Sequence, residues 1–356
     1  MVDRRRARYA RAILAAAIAL AATLPLAADV AVSGEIRAGG AIDLDGATTG
    51  YGLAKASLDA APSDAVKASM RVTLDDTGKV ELERAYLKAR FPLAEGGSAI
   101  RLTAGKSPLS WGRGFLFNAG DPIFGAFPAF TGFSASEYRV SADWLGALYV
   151  PFGDFSFIEL VELPPVGRST NRAGGRVCVT PSWDVLQSLE LGYLYEQDKK
   201  HSAFAAIDGS LWLDWYAAFS LTDGHAAVSA GAFRMFDTGG ALTVTARAEG
   251  LAYPEYDRYL WFGIITLGIS DQVSVSAQGL AATGTEDHSK LSSIAGFAGV
   301  SYVSALPGGS GFAGISVDWT PLKEIALSAS ALKWFEKGDL FSPNATFALG
   351  VICKFQ

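Results

Sequence analysis

Apolar and polar residues alternate along most of the chain, which is the period-two pattern of β-strands with two unlike faces. The clearest case is residues 66–75, where all ten positions fit, with Val66 and Met70 on one face and Lys67 and Arg71 on the other. The same alternation recurs in segments 36–44, 84–91, 100–104, 139–144 and 273–278. Short Gly-, Asp- and Pro-containing turn signals separate such segments. The pattern predicts an all-β protein of about 16 strands, with 18 as the alternative.

The length of the predicted strands separates two kinds of β protein. Soluble strands usually have about 5 or 6 residues, whereas a tilted strand that crosses a membrane needs about 9 to 11. Many predicted strands here reach the longer range, and many carry an aromatic residue near one end, such as Tyr86, Tyr149 or Trp319. Trp and Tyr favour the boundary between membrane and water. Both features favour a membrane barrel over a soluble sandwich.

Closure of the sheet follows from the membrane environment. An open strand edge in hydrocarbon would leave backbone donors and acceptors unpaired. Each unpaired group would cost several kcal/mol of free energy. We therefore expect a transmembrane antiparallel up-and-down β-barrel, and bacterial single-chain barrels have even strand numbers.

One long irregular stretch interrupts the pattern, at residues 107–134, and it is rich in Gly and Phe. Long loops in compact domains are usually functional or disordered, and the aromatic content favours packing. We predict that this loop folds into the lumen and narrows it, with Arg113, Asn118 and Asp121 at the constriction. A loop packed on the rim is the alternative.

The N-terminus has the composition of a secretory signal peptide. Five arginines precede the apolar run 12–24, which is followed by small residues up to Ala28. We assign residues 1–28 to the signal peptide and residues 29–356 to a single barrel domain. Loss of those five arginines and one aspartate changes the formal net charge from −6 to −10.

Composition excludes several other classes. Charged residues make up 19% of the chain and the mean hydropathy is +0.23, which is apolar for a soluble protein. Beyond the N-terminus no run of about 20 apolar residues predicts a membrane helix. The net charge is negative, so the chain lacks the positive electrostatic field that attracts nucleic acid.

Three motifs resemble those of bacterial outer-membrane porin-like barrels: segments 83–88 (ERAYLK), 101–106 (RLTAGK) and 111–114 (WGRG). The last predicted strand, 347–355, is similar to the C-terminal signal that the barrel-assembly machinery recognises, although Phe355 is penultimate here. The resemblance implies a channel in the outer membrane, surrounded by lipid. Because porins often form trimers, it is also compatible with a homo-oligomer.

Basic residues dominate the polar face of the predicted strands in the first half of the chain. If the apolar faces contact lipid, the predicted pore-lining cations are Arg37, Lys55, Lys67, Arg71, Arg84, Lys88, Arg90, Arg101, Arg139, Arg172 and Arg176. Such a wall favours the passage of anions. Alternatively, these cations pair with carboxylates such as Glu35 and Asp143 on neighbouring strands.

The leading hypothesis is therefore a porin-like channel for passive diffusion of small polar solutes, with a preference for anions as the finer expectation. A barrel with an occluded lumen that serves as a surface interaction or structural protein is the alternative, and a hydrolase at the barrel rim is less favoured. The three histidines, His201, His225 and His288, lie in polar turn-like segments. We expect no enzymatic activity, no cofactor and no metal site.

Overall fold

A computed structural model of the chain describes residues 29–93, 98–126, 142–153, 155–166, 170–181, 183–198, 200–240, 242–284, 294–295, 301–303, 311–335 and 345–355. The predicted signal peptide lies outside these described residues. The strands are β1 (Asp29–Asp43), β2 (Thr48–Ser63), β3 (Val66–Asp75), β4 (Val80–Pro92), β5 (Ala99–Pro108), β6 (Ala142–Phe152), β7 (Ser156–Leu163), β8 (Arg172–Val179), β9 (Leu186–Glu196), β10 (Lys200–Ser210), β11 (Asp214–Thr222), β12 (His225–Asp237), β13 (Thr243–Tyr253), β14 (Arg258–Gly268), β15 (Val273–Gly284), β16 (Ile294–Ala295), β17 (Ser301–Val303), β18 (Gly311–Leu322), β19 (Ile325–Phe335) and β20 (Ala345–Phe355). A short 3-10 turn (Pro254–Tyr256) lies between β13 and β14.

Eighteen of these strands form one closed antiparallel barrel. Each strand pairs with its neighbours in the chain, and β15 pairs directly with β18. The barrel closes where β20 pairs with β1, in a register that runs from Gly34 opposite Phe355 to Asp43 opposite Thr346. β16 and β17 form a separate two-stranded hairpin. The all-β antiparallel prediction is therefore confirmed.

The main prediction of 16 strands is wrong, and its alternative of 18 is correct. Three hairpins are joined by only two residues, at 64–65, 223–224 and 323–324. Such tight turns leave enough chain for two additional strands of membrane-spanning length.

The two ends of the barrel differ. β1 begins and β20 ends at the same end, which we call the terminal rim; the other end is the opposite rim. The connections at the terminal rim are short, whereas 109–141, 285–310 and 336–344 all leave from the opposite rim. The predicted long loop, between β5 and β6, therefore enters the barrel from the opposite rim.

The strands expose different residues on their two faces, as the alternation predicts. In β9 the side chains of Ser188, Glu190 and Leu194 are buried inside the barrel, while Leu189 and Leu191 between them are exposed outside. Strand lengths range from 8 to 16 residues in the barrel. The outer face therefore presents an apolar surface, and polar groups point inward.

Buried apolar side chains lie inside the barrel, between its wall and the long loop. One cluster joins loop residues Trp111 and Ile123 to β6, β7, β9 and β10. A second, larger cluster joins Leu116 and Phe117 to inward-facing residues of β10 to β15, of β18 to β20 and of β1. Among the described residues, no helix has the length and apolar character needed to cross a membrane.

Candidate functional site

The described part of the long loop, residues 109–126, lies inside the barrel. Trp111 and Phe117 are fully buried. Trp111 donates a hydrogen bond to Glu159, 48 positions along the chain, and Phe117 donates one to Glu249, 132 positions along it. We call this segment the inner loop. Its position makes the interior of the barrel the candidate functional site.

One end of the inner loop is held by two carboxylates and an arginine. Trp111 donates its indole N–H to Glu159 on β7 at 2.9 Å, and the backbone N–H of Gly112 donates to Glu190 on β9 at 2.9 Å. Arg176 on β8 bridges both carboxylates, with N–O distances of 2.8 Å to each. The two buried negative charges thus share one buried guanidinium, which lowers the free energy of burying them.

The middle of the inner loop is held by a single carboxylate, Glu249 on β13. Its side chain is 0% exposed and accepts the backbone N–H groups of Phe115, Leu116 and Phe117 at 3.1, 2.8 and 2.9 Å. Arg247 on the same strand lies 3.5 Å from one of its oxygens. Three consecutive amides therefore surround one carboxylate and satisfy most of its lone pairs.

Two further contacts hold the inner loop to the wall. The backbone N–H of Ala119 donates to the hydroxyl of Ser229 on β12 at 2.8 Å. Arg113 forms an ion pair with Asp208 on β10 at 3.0 Å, and its side chain remains 56% exposed. The loop is therefore bound to one side of the barrel, from β7 to β13.

Asp121 and Asn118 shape the inner loop from within. Asp121 accepts a hydrogen bond from Ser110 at 2.9 Å and from the backbone N–H groups of Ile123 and Phe124 at 3.1 and 3.2 Å. Asn118 donates its amide N–H to the Trp111 carbonyl at 2.7 Å. Both residues are 1% exposed. Of the three predicted constriction residues, Arg113 is the exposed one.

Arg172 on β8 supports the same turn of the loop. Its guanidinium donates to the backbone carbonyls of Ile123, at 3.0 Å, and Pro122. These bonds satisfy carbonyls that would otherwise be buried without partners. Arg172 and Arg176 thus both contribute to holding the loop.

The wall from β1 to β4 carries a row of half-buried cations at middle height, each paired with a carboxylate. The contacts are Arg37 Nε–Glu35 Oε1 at 2.5 Å, Lys55 Nζ–Glu83 Oε1 at 3.7 Å, Arg71 Nη1–Glu83 Oε2 at 3.8 Å and Arg84 Nη2–Asp59 Oδ1 at 3.6 Å. Four cations here meet three carboxylates. These cations therefore pair with carboxylates, as the alternative from the sequence expects. Their main partners are Glu83 and Asp59, whereas the examples expected from the sequence are Glu35 and Asp143.

A second group of predicted pore-lining cations lies nearer the terminal rim, on β3 to β5, and all its members are exposed: Lys67, Lys88, Arg90 and Arg101. Arg101 lies over the ring of Tyr149, 3.7 Å from its centre. Lys88 lies 4.9 Å from the centre of the Tyr86 ring. Arg139 lies outside the described residues.

The four carboxylates that hold the inner loop were not found from the sequence. Glu159, Glu190, Asp208 and Glu249 are separated from their loop partners by 48 to 134 positions, and closure of the barrel brings them together. A usable signal does exist for Glu190, a charged residue at an inward position of β9 that is flanked on that face by Ser188 and Gly192. A lone carboxylate there needs an internal partner.

The histidines stand apart from the inner loop. His201 contacts Tyr193 on the outer face of β9 and β10, and His225 lies 2.9 Å from Glu255 at the opposite rim. His288 lies outside the described residues. Within the described residues, no group of three His, Cys, Asp or Glu side chains is placed to hold a metal ion.

Comparison with known proteins gives structural neighbours only. No protein-family profile and no curated protein matches the chain. OccK11 (OpdR) of Pseudomonas aeruginosa aligns with a TM-score of 0.56 at 9% identity, over 92% of this chain and 96% of that one. OpdK of the same organism gives 0.54 at 8% identity, over 92% and 99%, and OccD3 (OpdP) gives 0.53 at 11%, over 92% and 91%. The chain therefore has the barrel fold of bacterial outer-membrane porins.

Proposed function

We propose that the protein is an outer-membrane channel through which small polar solutes diffuse passively, with anions favoured over cations. The fold of outer-membrane porins supports the location and the transport role. No covalent step is involved. Solutes cross through water between the inner loop and the basic wall, and fixed charges set the free energy of that path.

The separation of charge inside the barrel is the observation that carries the anion preference. The carboxylates of β7 to β13 are turned to the inner loop, where arginines and backbone N–H groups neutralise them. The wall formed by β3 to β5 presents exposed cations to the lumen, and among the described residues no carboxylate forms a salt bridge with Lys67, Lys88 or Arg101. An anion in the remaining space therefore meets three positive side chains that have no paired carboxylate. In water, each such charge at about 4 Å contributes on the order of 1 kcal/mol.

The outer surface supports the membrane location. Half or more of the surface is exposed in outward apolar residues such as Ile36, Leu191, Ile265 and Leu349. Apolar side chains exposed to this extent disfavour water as the surroundings of the barrel. The closed hydrogen-bond ladder leaves no strand edge to contact hydrocarbon. We propose that the C-terminal segment 347–355, within the closing strand β20, is the part recognised by the assembly machinery.

A barrel with an occluded lumen is the second candidate, and one observation favours it. Leu116 and Phe117 of the inner loop pack against buried inward residues that include Leu260, Phe262 and Phe312. This cluster fills part of the interior. Swelling of liposomes that contain the refolded protein separates the two candidates, because only an open channel admits sugars or amino acids.

The reversal potential in a planar bilayer under a salt gradient tests the anion preference directly. We expect a sign that corresponds to chloride being more permeant than potassium. Exchange of Lys88 and Arg101 for glutamine should lower this selectivity, whereas Lys79→Gln, at an exposed turn where Lys79 pairs with Glu81, should not. Cation selectivity of the unmodified protein would contradict the proposal.

A further inference from the structure

Four inward cations lie on three adjacent strands at the terminal end of the wall. Lys67 on β3 is directly opposite Lys88 on β4, and Arg90 on β4 is directly opposite Arg101 on β5. Directly opposite residues place their Cβ atoms about 4.5 to 5.5 Å apart. We call these four residues the terminal basic cluster.

The terminal basic cluster differs from the cations at middle height. Arg71 and Arg84 are also directly opposite each other, but Glu83 and Asp59 lie beside them. Within the described ranges, no carboxylate forms a salt bridge with Lys67, Lys88 or Arg101. Like charges directly opposite on a sheet destabilise it. A bound anion would relieve the repulsion between Lys67 and Lys88, as the carboxylates do at middle height.

Aromatic rings fix two of the cations in place. Arg101 lies over the ring of Tyr149, whose ring in turn stacks on Phe157 at 4.7 Å between centres. Lys88 lies over Tyr86. The planar guanidinium of an arginine can donate two parallel hydrogen bonds to two oxygens of a phosphate. Less side-chain freedom is then lost when an anion binds.

We propose that the terminal basic cluster binds oxyanions that carry two or more charges, of which the phosphate group of a small solute fits best. A monocarboxylate has too little charge to neutralise several cations, whereas a phosphate dianion can contact cations on neighbouring strands at once. This inference rests on the proposed channel function, which supplies the solute, and it names a solute class. The site lies where the lumen reaches the terminal rim.

Binding of inorganic phosphate to the full-length protein, refolded in a phosphate-free nonionic detergent, tests the inference. Isothermal titration at pH 8 and constant ionic strength should show saturable binding of phosphate and none of acetate at the same concentration. The double variant Lys67→Gln/Lys88→Gln should bind phosphate at least tenfold more weakly. The matched control Lys79→Gln/Lys323→Gln removes the same charge from connections outside the lumen wall and should bind like the unmodified protein.

Thermal unfolding supplies a second readout on the same samples. Phosphate should raise the Tm of the unmodified protein, because a ligand that binds only the folded state stabilises it. The double variant should show no such rise. Arg101→Lys keeps the positive charge but loses the planar guanidinium, so it should bind phosphate severalfold more weakly. This variant tests the site if the double variant does not fold.

Phosphate affinity that is equal in the double variant and the control, or acetate binding equal to phosphate binding, would overturn the site. The assay needs no ion current, so the two proposals can fail separately. A barrel that binds phosphate through Lys67 and Lys88 but carries no current contradicts the channel alone. A barrel with an anion-selective current and no phosphate binding contradicts this site alone.

Discussion

Glu249 is a charged side chain without solvent contact, and its surroundings explain how the barrel accommodates it. Three backbone N–H groups of consecutive loop residues donate to it, and Arg247 lies close by. Hydrogen bonds to a charged partner are about twice as strong as neutral ones. The carboxylate thus both satisfies the loop amides and fixes the loop position.

Glu249→Gln removes this charge while keeping the size of the side chain. We expect a loss of about 2 kcal/mol in the free energy of unfolding, because the charge-assisted hydrogen bonds become neutral. Urea unfolding in detergent measures the change. Glu81→Gln, at an exposed position of the opposite rim, is the control and should change stability little. Equal shifts in the two variants would contradict the anchoring role.

Arg176→Met leaves two buried carboxylates, Glu159 and Glu190, without their shared cation. Removal of one partner from a buried ion pair typically destabilises by about 3 to 5 kcal/mol. Arg113→Met breaks an ion pair whose arginine is mostly exposed, and we expect about 0 to 1 kcal/mol there. Unfolding midpoints of the two variants test the order. A larger effect for Arg113 would show that the bridge at Arg176 is not the main anchor.

At the scale of elements, the inner loop acts as a partition fixed to one side of the barrel. Its turn is built around Asp121, and Gly112 adopts a positive φ of 66° that favours glycine. A Cβ at Gly112 would also lie 2.7 Å from Asn118 Oδ1. The loop therefore has a defined backbone shape of its own and occupies the interior as a folded unit.

Deletion of residues 113–127 should widen the path and raise single-channel conductance. The deletion removes the segment bound by Glu249 and Asp208 but keeps all eighteen barrel strands. Single-channel recording measures the effect, and retention of a heat-modifiable band on a gel shows that the barrel has folded. Unchanged conductance in a folded variant would contradict the constriction role.

The strands could be predicted from the sequence, but the way the loop is held could not. Segment 66–75 coincides with β3 because one face of this strand is apolar at every second position, and that is a local property. The contacts of Glu159, Glu190 and Glu249 join strands distant in sequence, so no local pattern specifies them. The main choice of 16 strands is wrong, although 18 is the alternative, because a two-residue turn such as 64–65 leaves little trace in the alternation.

At the scale of the whole molecule, the barrel is divided by charge. The side that holds the inner loop is neutralised by internal contacts, whereas the wall from β3 to β5 keeps exposed cations. Paired, buried ions depend little on dissolved salt, while exposed ones are screened by it. Salt should therefore affect the proposed anion selectivity more than it affects the stability of the fold.

Anion selectivity should fall as ionic strength rises. The Debye length is about 10 Å at 0.1 M salt and about 3 Å at 1 M, so the basic wall influences passing ions over a shorter distance in concentrated salt. Reversal potentials at a fixed concentration ratio, recorded at both ionic strengths, measure this dependence. A permeability ratio independent of salt would point to size, and not to the exposed cations, as the source of selectivity.

The attachment of the inner loop to β13 also sets an order of events during biogenesis. The loop follows β5, and Glu249, which captures it, comes 132 to 134 residues later. Contacts of such sequence separation form late in folding, because a long chain segment must first be ordered. The interior therefore stays undivided until β13 has joined the sheet, because Glu249 can capture the loop only then. In the proposed channel, the constriction forms only in the nearly finished barrel, and an assembly intermediate that stalls before β13 lacks it.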